Sequence, residues 1–344
     1  MRKELFECIR ELCLLDGVSG REQDVAAVIA RKAEAAGAEV RIDNLGSVLA
    51  FKKGKERPKK RVLLAAHMDE VGLIVTAITD EGYLKFATVG GVNSKVICGR
   101  RVRIGDNGVP GVVGMKHIHA TEADERGKAI PIDKLFLDIG AKDRAGAEAL
   151  VSLGDSAHFV GDYLELGEGV AAKALDDRAG CAMMLSIMRE ELPCDLWFAF
   201  TTQEEIGTRG AKAAAFTCEP ELANILETTA SGDVAGVDGA DRVTVVGGGA
   251  VVSYMDHGTL YDKELYDLAF RLAKEQSIPC QTKTMIAGGN DSGAISVSRG
   301  GVRTVAVSVP CRYLHSPADF ALKRDIQAVH DLSRALAFEL PNLA

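Results

Sequence analysis

The sequence predicts an α/β fold into which a small β-rich domain is inserted. Three observations carry that expectation. Short continuous apolar runs (Arg61 to Ala66, Leu196 to Phe200, Thr304 to Val309) read as strands buried on both faces. Amphipathic helical stretches alternate with them. From Val71 to about Leu166 the texture changes to short alternating strands and glycine turns, GYLKFATVGG and GRRVRIGDNGVPGVVGMK among them, with no long helical pattern. A length of 344 residues suits two domains or one domain with a large insertion. The expected boundaries are 1–69 with 167–344 for the discontinuous host and 70–166 for the insert.

In chain order, Leu5, Phe6, Ile9, Leu12 and Cys13 repeat with helical period until Asp16-Gly17 stops the helix. Ser19 and Glu22 have the spacing of a capping box opening a second helix, which runs through Val25, Val28 and Ile29 to Gly37. A hairpin follows, Val40 to Ile42 with Val48 to Phe51. The basic run from Lys52 to Arg61 reads as a solvated turn. After the β-rich region, Ala171 to Leu175 leads into Asp176-Asp177 and a helix faced by Cys181, Met184, Leu185 and Met188. Strands at Leu196 to Phe200 and Ala223 to Leu226, a helix from Lys263 to Gln276, a last strand at Thr304 to Val309 and a closing helix complete the chain.

Bulk composition excludes several classes. Hydrophobic residues make up 47% and charged ones 26%, as in a globular protein with a real core. A formal net charge of -8 gives no general attraction to nucleic acid or anionic membrane. No apolar run of ~20 residues is present. MRKELFECIRELC is an amphipathic helix interrupted by Arg10 and Glu11 rather than a signal peptide, so a cytoplasmic location is expected. The eight cysteines show no CxxC spacing and read as reduced packing residues.

The chemistry gathers at strand ends. Asp195 to Gly207, DLWFAFTTQEEIG, is an apolar strand closing on the adjacent pair Glu204 and Glu205. Two carboxylates at the C-terminal edge of a buried strand repel each other and resist desolvation unless a cation or proton lies between them. Taken alone the pair reads as two solvated loop glutamates. Comparable groups end other strands, namely His67 in HMDE, Asp176, Glu227 and His315. A histidine in a core strand is ordinarily a hydrogen-bonded packing residue. At a strand end, Asp69 two residues on would accept its second N–H and fix its tautomer. One aspartate of the 176–177 pair would cap its helix, and Asp176 is the candidate bridging carboxylate. His117 and His119 share a strand face but have no acidic partner close in sequence. Two histidines and three carboxylates are the donor stock for two hard-to-borderline divalent ions sharing one carboxylate, with a further carboxylate left for proton transfer. Such a set suits amide hydrolysis, since paired ions polarise a carbonyl and acidify water while a glutamate carries the proton to the leaving nitrogen.

The motifs HMDEVG, ALDDRAG, TTQEEIGTRGA, LETT and YLHSP, in that order and with a β-rich insertion between the first two, resemble the dinuclear metalloaminopeptidases that form tetrahedral dodecamers. Some members of that family carry the label cellulase M. The similarity extends nearly end to end and includes VGGV at 89–92, the GVVGMKHIH hairpin and LFLDIGA at 135–141. The resemblance implies a zinc-exopeptidase-like mixed sheet with helices on both faces and an inserted domain that makes subunit contacts. It implies that His67 and Glu227 hold one metal and Glu205 and His315 the other, bridged by Asp176. Glu204 is then the general base and Asp69 the residue orienting His67, with Asp177 following the bridge, often through a cis peptide. Many members have aspartate at the position of Glu227 and threonine at that of Asn290. The implied function is cytoplasmic trimming of short peptides from their N-termini, with two divalent ions per subunit (zinc or cobalt, with manganese an option) in a homo-oligomer, the dodecamer built from dimers. Three rivals stay open: a related deacylase or carboxypeptidase, an endoglucanase working through two carboxylates, and a scaffold that has lost its chemistry.

Overall fold

A computed structural model describes residues 3–117, 119 and 128–343. Helices α1 (Lys3–Cys13) and α2 (Gln23–Ala35) lead into β1 (Glu39–Ile42), β2 (Val48–Lys52) and β3 (Val62–His67). Six short strands follow: β4 (Gly72–Ile78), β5 (Leu84–Val89), β6 (Arg101–Ile104), β7 (Val109–Gly114), β8 (Phe136–Asp138) and β9 (Ser156–Phe159). Helix α3 (Ser94–Ile97) precedes β6, and α4 (Arg144–Glu148) precedes β9. The remainder runs β10 (Leu164–Leu166), β11 (Gly169–Ala172), α5 (Leu175–Met188), β12 (Leu196–Thr201), α6 (Arg209–Cys218) and β13 (Leu222–Ala230). It continues with β14 (Ala250–Val252), α7 (Lys263–Glu275), β15 (Cys280–Thr282), α8 (Ser292–Ser296), β16 (Arg303–Cys311), β17 (Asp319–Leu322) and α9 (Lys323–Glu339).

One mixed sheet of eight strands has the order β1-β2-β12-β3-β13-β16-β14-β15. Its four central strands, β12, β3, β13 and β16, are parallel, so their C-terminal ends share one edge. Alternation within each strand divides the core. Val62, Leu64 and Ala66 of β3 join Leu196, Phe198 and Phe200 of β12 on the face covered by α1, α5, α7 and α9. Leu63, Ala65 and Ala199 point the other way, to Ala211, Ala214 and Ala215 of α6 and Ile295 of α8. That second face is built largely of alanine, which lets α6 lie close to the sheet.

Strands β4 to β9 close into a barrel in the order β4-β5-β8-β7-β6-β9, with Leu73, Val75, Phe86, Ile104, Leu137 and Phe159 among its own core residues. Closure removes the exposed edges that six short strands would otherwise present. By Leu164–Leu166 the chain has left the barrel, since β10 pairs with β11 in a separate small sheet with β17. The junction is clamped by charge. Glu70, just before the barrel, accepts from the buried ammonium of Lys173 at 2.6 Å and from the Gly17 amide at 3.0 Å. Arg103 of β6 pairs in two-pronged fashion with Asp16 at 2.8 and 2.6 Å. Burial would raise the Asp16 carboxyl, but Arg103 and Lys173 bring it below its ordinary range.

The structure corrects several sequence expectations. Ser19 and Glu22 do not form a capping box, because neither side chain caps α2; both turn instead toward the strand ends described below. β13 does not stop at Leu226 but runs to Ala230, so Glu227, Thr228 and Thr229 lie within a strand paired with β16 up to Cys311. β11 ends at Ala172, and Leu175 already belongs to α5. The eight cysteines are free thiols, six of them buried.

Gly210, in the first turn of α6, brings that helix onto the backbone after β12. Its N–H donates to the Thr202 carbonyl at 2.9 Å, and a Cβ there would lie 2.5 Å from the Thr202 backbone N and O. Gly210→Ala is therefore expected to cost about 1–3 kcal/mol, as overpacking against rigid backbone does. A lowered denaturant midpoint would register it, and a midpoint matching wild type would show that α6 can withdraw freely.

Candidate active site

The parallel register carries the site. Thr201 of β12 pairs with His67 of β3, and Ile225 of β13 pairs with Ala65, so two residues on Glu227 stands level with His67. Beyond Thr201 the chain turns through Gln203, with φ of 57°, to Glu204 and Glu205. β16 delivers His315 four residues past its end, also with positive φ. Asp176 stands at the kinked start of α5, followed by a cis peptide to Asp177.

These groups converge. His67 Nε2 lies 3.1 Å from Asp176 Oδ1 and 3.5 Å from Glu227 Oε1. His315 Nε2 lies 3.4 Å from Asp176 Oδ2 and 3.3 Å from Glu205 Oε1. Each oxygen of Asp176 thus faces a different imidazole, and the residues divide into two triads sharing that aspartate. All five are brought together from the positions expected of them.

The proton positions follow from the other ring nitrogens. His67 Nδ1 is 3.0 Å from the Asp69 carbonyl, and His315 Nδ1 is 3.0 Å from the Gly91 carbonyl. A carbonyl oxygen can only accept, so both Nδ1 atoms carry hydrogen. The neutral rings then present Nε2 lone pairs to carboxylate lone pairs, an arrangement that only a proton or a cation between them can reconcile. The donor set of imidazole nitrogen and carboxylate oxygen fits a divalent transition metal.

Titration behaviour reflects the same tension. Burial pushes the Glu227 carboxyl up to about 8 and the Glu205 carboxyl to about 7, with the Asp176 charge adding to each. Glu204 rises to about 10, chiefly through burial, with Glu227 and Asp291 contributing. Burial alone would depress His315, yet Asp176 and Glu205 lift it to about 10. Asp176, despite its burial, is held well below the carboxylate range by the two imidazoles. Asp177 caps its helix by accepting from the Gly180 amide at 3.0 Å.

Asp69 works differently from the expectation. Its backbone carbonyl, not its carboxylate, is the nearer partner of His67, the carboxylate Oδ1 lying 3.5 Å away. The carboxylate instead accepts from the backbone amides of Glu204 at 2.9 Å and Glu205 at 3.1 Å, and from the Ser19 hydroxyl at 2.6 Å. Glu22 accepts from the Gln203 amide at 3.1 Å. Ser19, Asp69 and Glu22 together grip the loop bearing the glutamate pair. The sequence holds one signal of this, the Ser19–Glu22 spacing, which reads locally as a helix cap. His117 and His119 have ring centroids 6.2 Å apart and belong to neither triad; the hairpin that contains them extends beyond the described residues.

A cleft of about 710 Å³ opens over the cluster, lined on one side by His67, Asp176, Glu204, Glu205, Glu227 and His315. A separate cleft of about 440 Å³ between α1 and α5 contains none of them.

An α/β sheet whose C-terminal edge gathers paired imidazole–carboxylate triads around one aspartate defines a metal-dependent hydrolase. Residues 46–332 match the family described as M42 glutamyl aminopeptidase. A putative aminopeptidase of Acetivibrio thermocellus is 37% identical over 94% of this chain and 96% of its own. The lysyl aminopeptidase of Pyrococcus furiosus is 33% identical over 97% of both chains. A solved TET aminopeptidase from a marine sediment thaumarchaeote superposes with a TM-score of 0.94 at 34% identity, covering 98% of this chain and 97% of that one. The Pyrococcus horikoshii TET1 peptidase, described as assembling into a tetrahedron or a large octahedral shell, superposes with a TM-score of 0.85 at 31% identity over 97% and 99%. The chain belongs to the M42 aminopeptidase family and is a metal-dependent peptidase.

The grip on the loop has a pH signature. Burial, with Asp69 nearby, raises Glu22 from 4.5 to about 7. Below 4.5 the group is protonated in both states. Between there and about 7 the unfolded chain releases its proton while the folded chain keeps it, so folding stability falls as pH rises through that window. Glu22→Gln is expected to flatten that segment of the stability–pH curve, measured by thermal unfolding. An unaltered slope would remove Glu22 as its source.

Proposed function

We propose that the protein removes N-terminal residues from short peptides with two divalent ions, one held by His67, Asp176 and Glu227 and the other by Asp176, Glu205 and His315. The observation that carries the reading is the pair of Nε2 lone pairs aimed at opposite oxygens of one aspartate. Bound there, zinc or cobalt (or manganese) would supply Lewis acidity to a scissile carbonyl and lower the pKa of water. Glu204, whose carboxylate lines the cleft without serving either triad, takes the proton from the attacking water and passes it to the leaving amide nitrogen. Burial and the neighbouring carboxylates raise its carboxyl, and positive charge held by the two triads would lower it toward the range of a useful base. The remaining carboxylates of the cluster favour a free α-ammonium over a blocked one. A glycosidase reading leaves both imidazoles without work, and the aminopeptidase names of the relatives favour the exopeptidase over the deacylase.

Homo-oligomeric assembly, of the tetrahedral dodecamer type, is supported by the likeness to TET peptidases. It is supported too by exposed leucines on and beside the barrel, Leu150, Leu153, Leu164 and Leu166. We assign subunit contacts to the insert, residues 70–166, and catalysis to residues 1–69 with 167–344. No helix among the described residues is long and apolar enough to cross a membrane. The free cysteines support a cytoplasmic placement.

Glu204→Gln is expected to retain metal, measured by elemental analysis, while turnover falls about 10²–10⁴-fold. His315→Ala should lower metal content instead. Peptides with acetylated N-termini should survive incubation that consumes their free counterparts; equal cleavage of both would exclude the exopeptidase reading.

A further inference from the structure

His67 and Glu227 stand on strands of the central sheet, and the turn bearing Glu205 is gripped by Ser19, Asp69 and Glu22. Asp176 and His315 have neither support. Both lie on segments that leave the ladder through left-handed backbone, at Ala174 with φ of 56° and at His315 itself with φ of 59°. Those segments start from one register position, because Ala172, the last residue of β11, pairs antiparallel with Asp319, the first of β17. Asp176 stands four residues beyond Ala172 and His315 four residues ahead of Asp319, so the two ligands extend side by side from that pair. Asp319 sits at the root of both. It is 2% exposed, and its Oδ1 accepts from the amide of Ser316, the neighbour of His315, at 3.4 Å. Burial, with the Asp176 charge, pushes its carboxyl well above the ordinary range, opposed by the Ser316 amide, His315 and the Asp176 amide. No lysine or arginine among the described residues pairs with it. Lys173 lines the same cavity of about 10 Å³, together with Asp176, Glu205, His315 and Asp319, but commits its ammonium to Glu70 at 2.6 Å and the Leu15 carbonyl at 2.7 Å. A buried carboxylate with no cation of its own, beside one imidazole–carboxylate triad, is stabilised by positive charge placed in that triad.

We infer that Asp319 is the positioning residue for the triad of Asp176, Glu205 and His315, tying the segment that carries His315 to the one that carries Asp176 and strengthening that triad's hold on its ion. The inference rests on the two-ion reading above and adds the residue that sets the affinity of one site. The effect is one-sided. The other triad takes His67 and Glu227 from β3 and β13, whose level is fixed by the sheet, and shares only Asp176 with this one.

The test is a zinc titration of the metal-free protein, with zinc per subunit measured by elemental analysis at buffered free zinc, for wild type, Asp319→Asn, Asp319→Ala and His315→Ala. The wild type is expected to fill in two steps. In Asp319→Asn one step should move to about 10- to 100-fold higher free zinc, as loss of a group supporting a metal ligand does, while the other stays. His315→Ala should weaken the same step, and Asp319→Asn added to it should change nothing further. The zinc needed for half-maximal peptide cleavage should rise by the same factor, with kcat at saturating zinc near that of wild type. Thermal unfolding of metal-free Asp319→Asn should come at no lower temperature than wild type, since the substitution keeps the shape and removes a buried charge. A merely structural residue would lower that temperature, and kcat at every zinc concentration, and this outcome overturns the role of Asp319. So do two binding steps unmoved, or moved equally, in both Asp319 variants. A wild type that takes up one ion or none overturns the two-ion reading and, with it, this one.

Discussion

The site is governed by a mismatch: acceptors facing acceptors in a place from which water is largely withdrawn. Two imidazoles pinned at Nδ1 by carbonyls have no hydrogen to offer at Nε2, and the groups opposite are carboxylates. Burying such a set is costly without positive charge among it. The histidines can take up protons, as their upward shifts record, but protonation abolishes the lone pairs the arrangement presents. A divalent cation resolves both problems, and the fixed tautomers make the cluster a host for one before it arrives.

Holding like charges together requires a rigid frame, and the sheet supplies it. Residues level on adjacent parallel strands stay level because the hydrogen-bond register cannot slip without inverting every side chain between two packed faces. The glutamate pair lies outside the ladder, on a turn, and is fixed by another device. Its two backbone amides share the carboxylate of Asp69, which Ser19 holds from behind, while Glu22 takes the amide before them. The loop thereby acquires the precision of a strand without being one.

Much of this was legible in the sequence. Apolar runs identified the central strands, and polar residues at their ends identified the convergent edge, because a parallel sheet forces those ends onto one side. Glu227 reads in the sequence as a strand-end carboxylate; its strand runs on to Ala230, yet it still stands level with His67, because its place depends on register rather than on where pairing stops. Pairwise hydrogen bonds between distant segments were not legible. Ser19 and Glu22 have the spacing of a local cap, and nothing in their neighbourhood indicates that Asp69 and Gln203, 50 and 181 residues away, outcompete it.

The inserted barrel is more than an appendage to this frame. The carbonyl that fixes the proton of His315 belongs to Gly91, in the turn that follows β5. A Cβ at Gly91 would stand 3.1 Å from the Nδ1 atom it serves, so that approach favours glycine. The barrel is seated on its host by Arg103–Asp16 and by the Lys173–Glu70 pair at its entrance. Tilting it would withdraw the Gly91 carbonyl and free His315 to rotate or change tautomer, which would turn the Nε2 lone pair away from Asp176. Contacts that steady the barrel, including any it makes with another subunit, therefore steady one imidazole of the cluster. In this fold the geometry of one triad and the seating of the insert are mechanically the same variable.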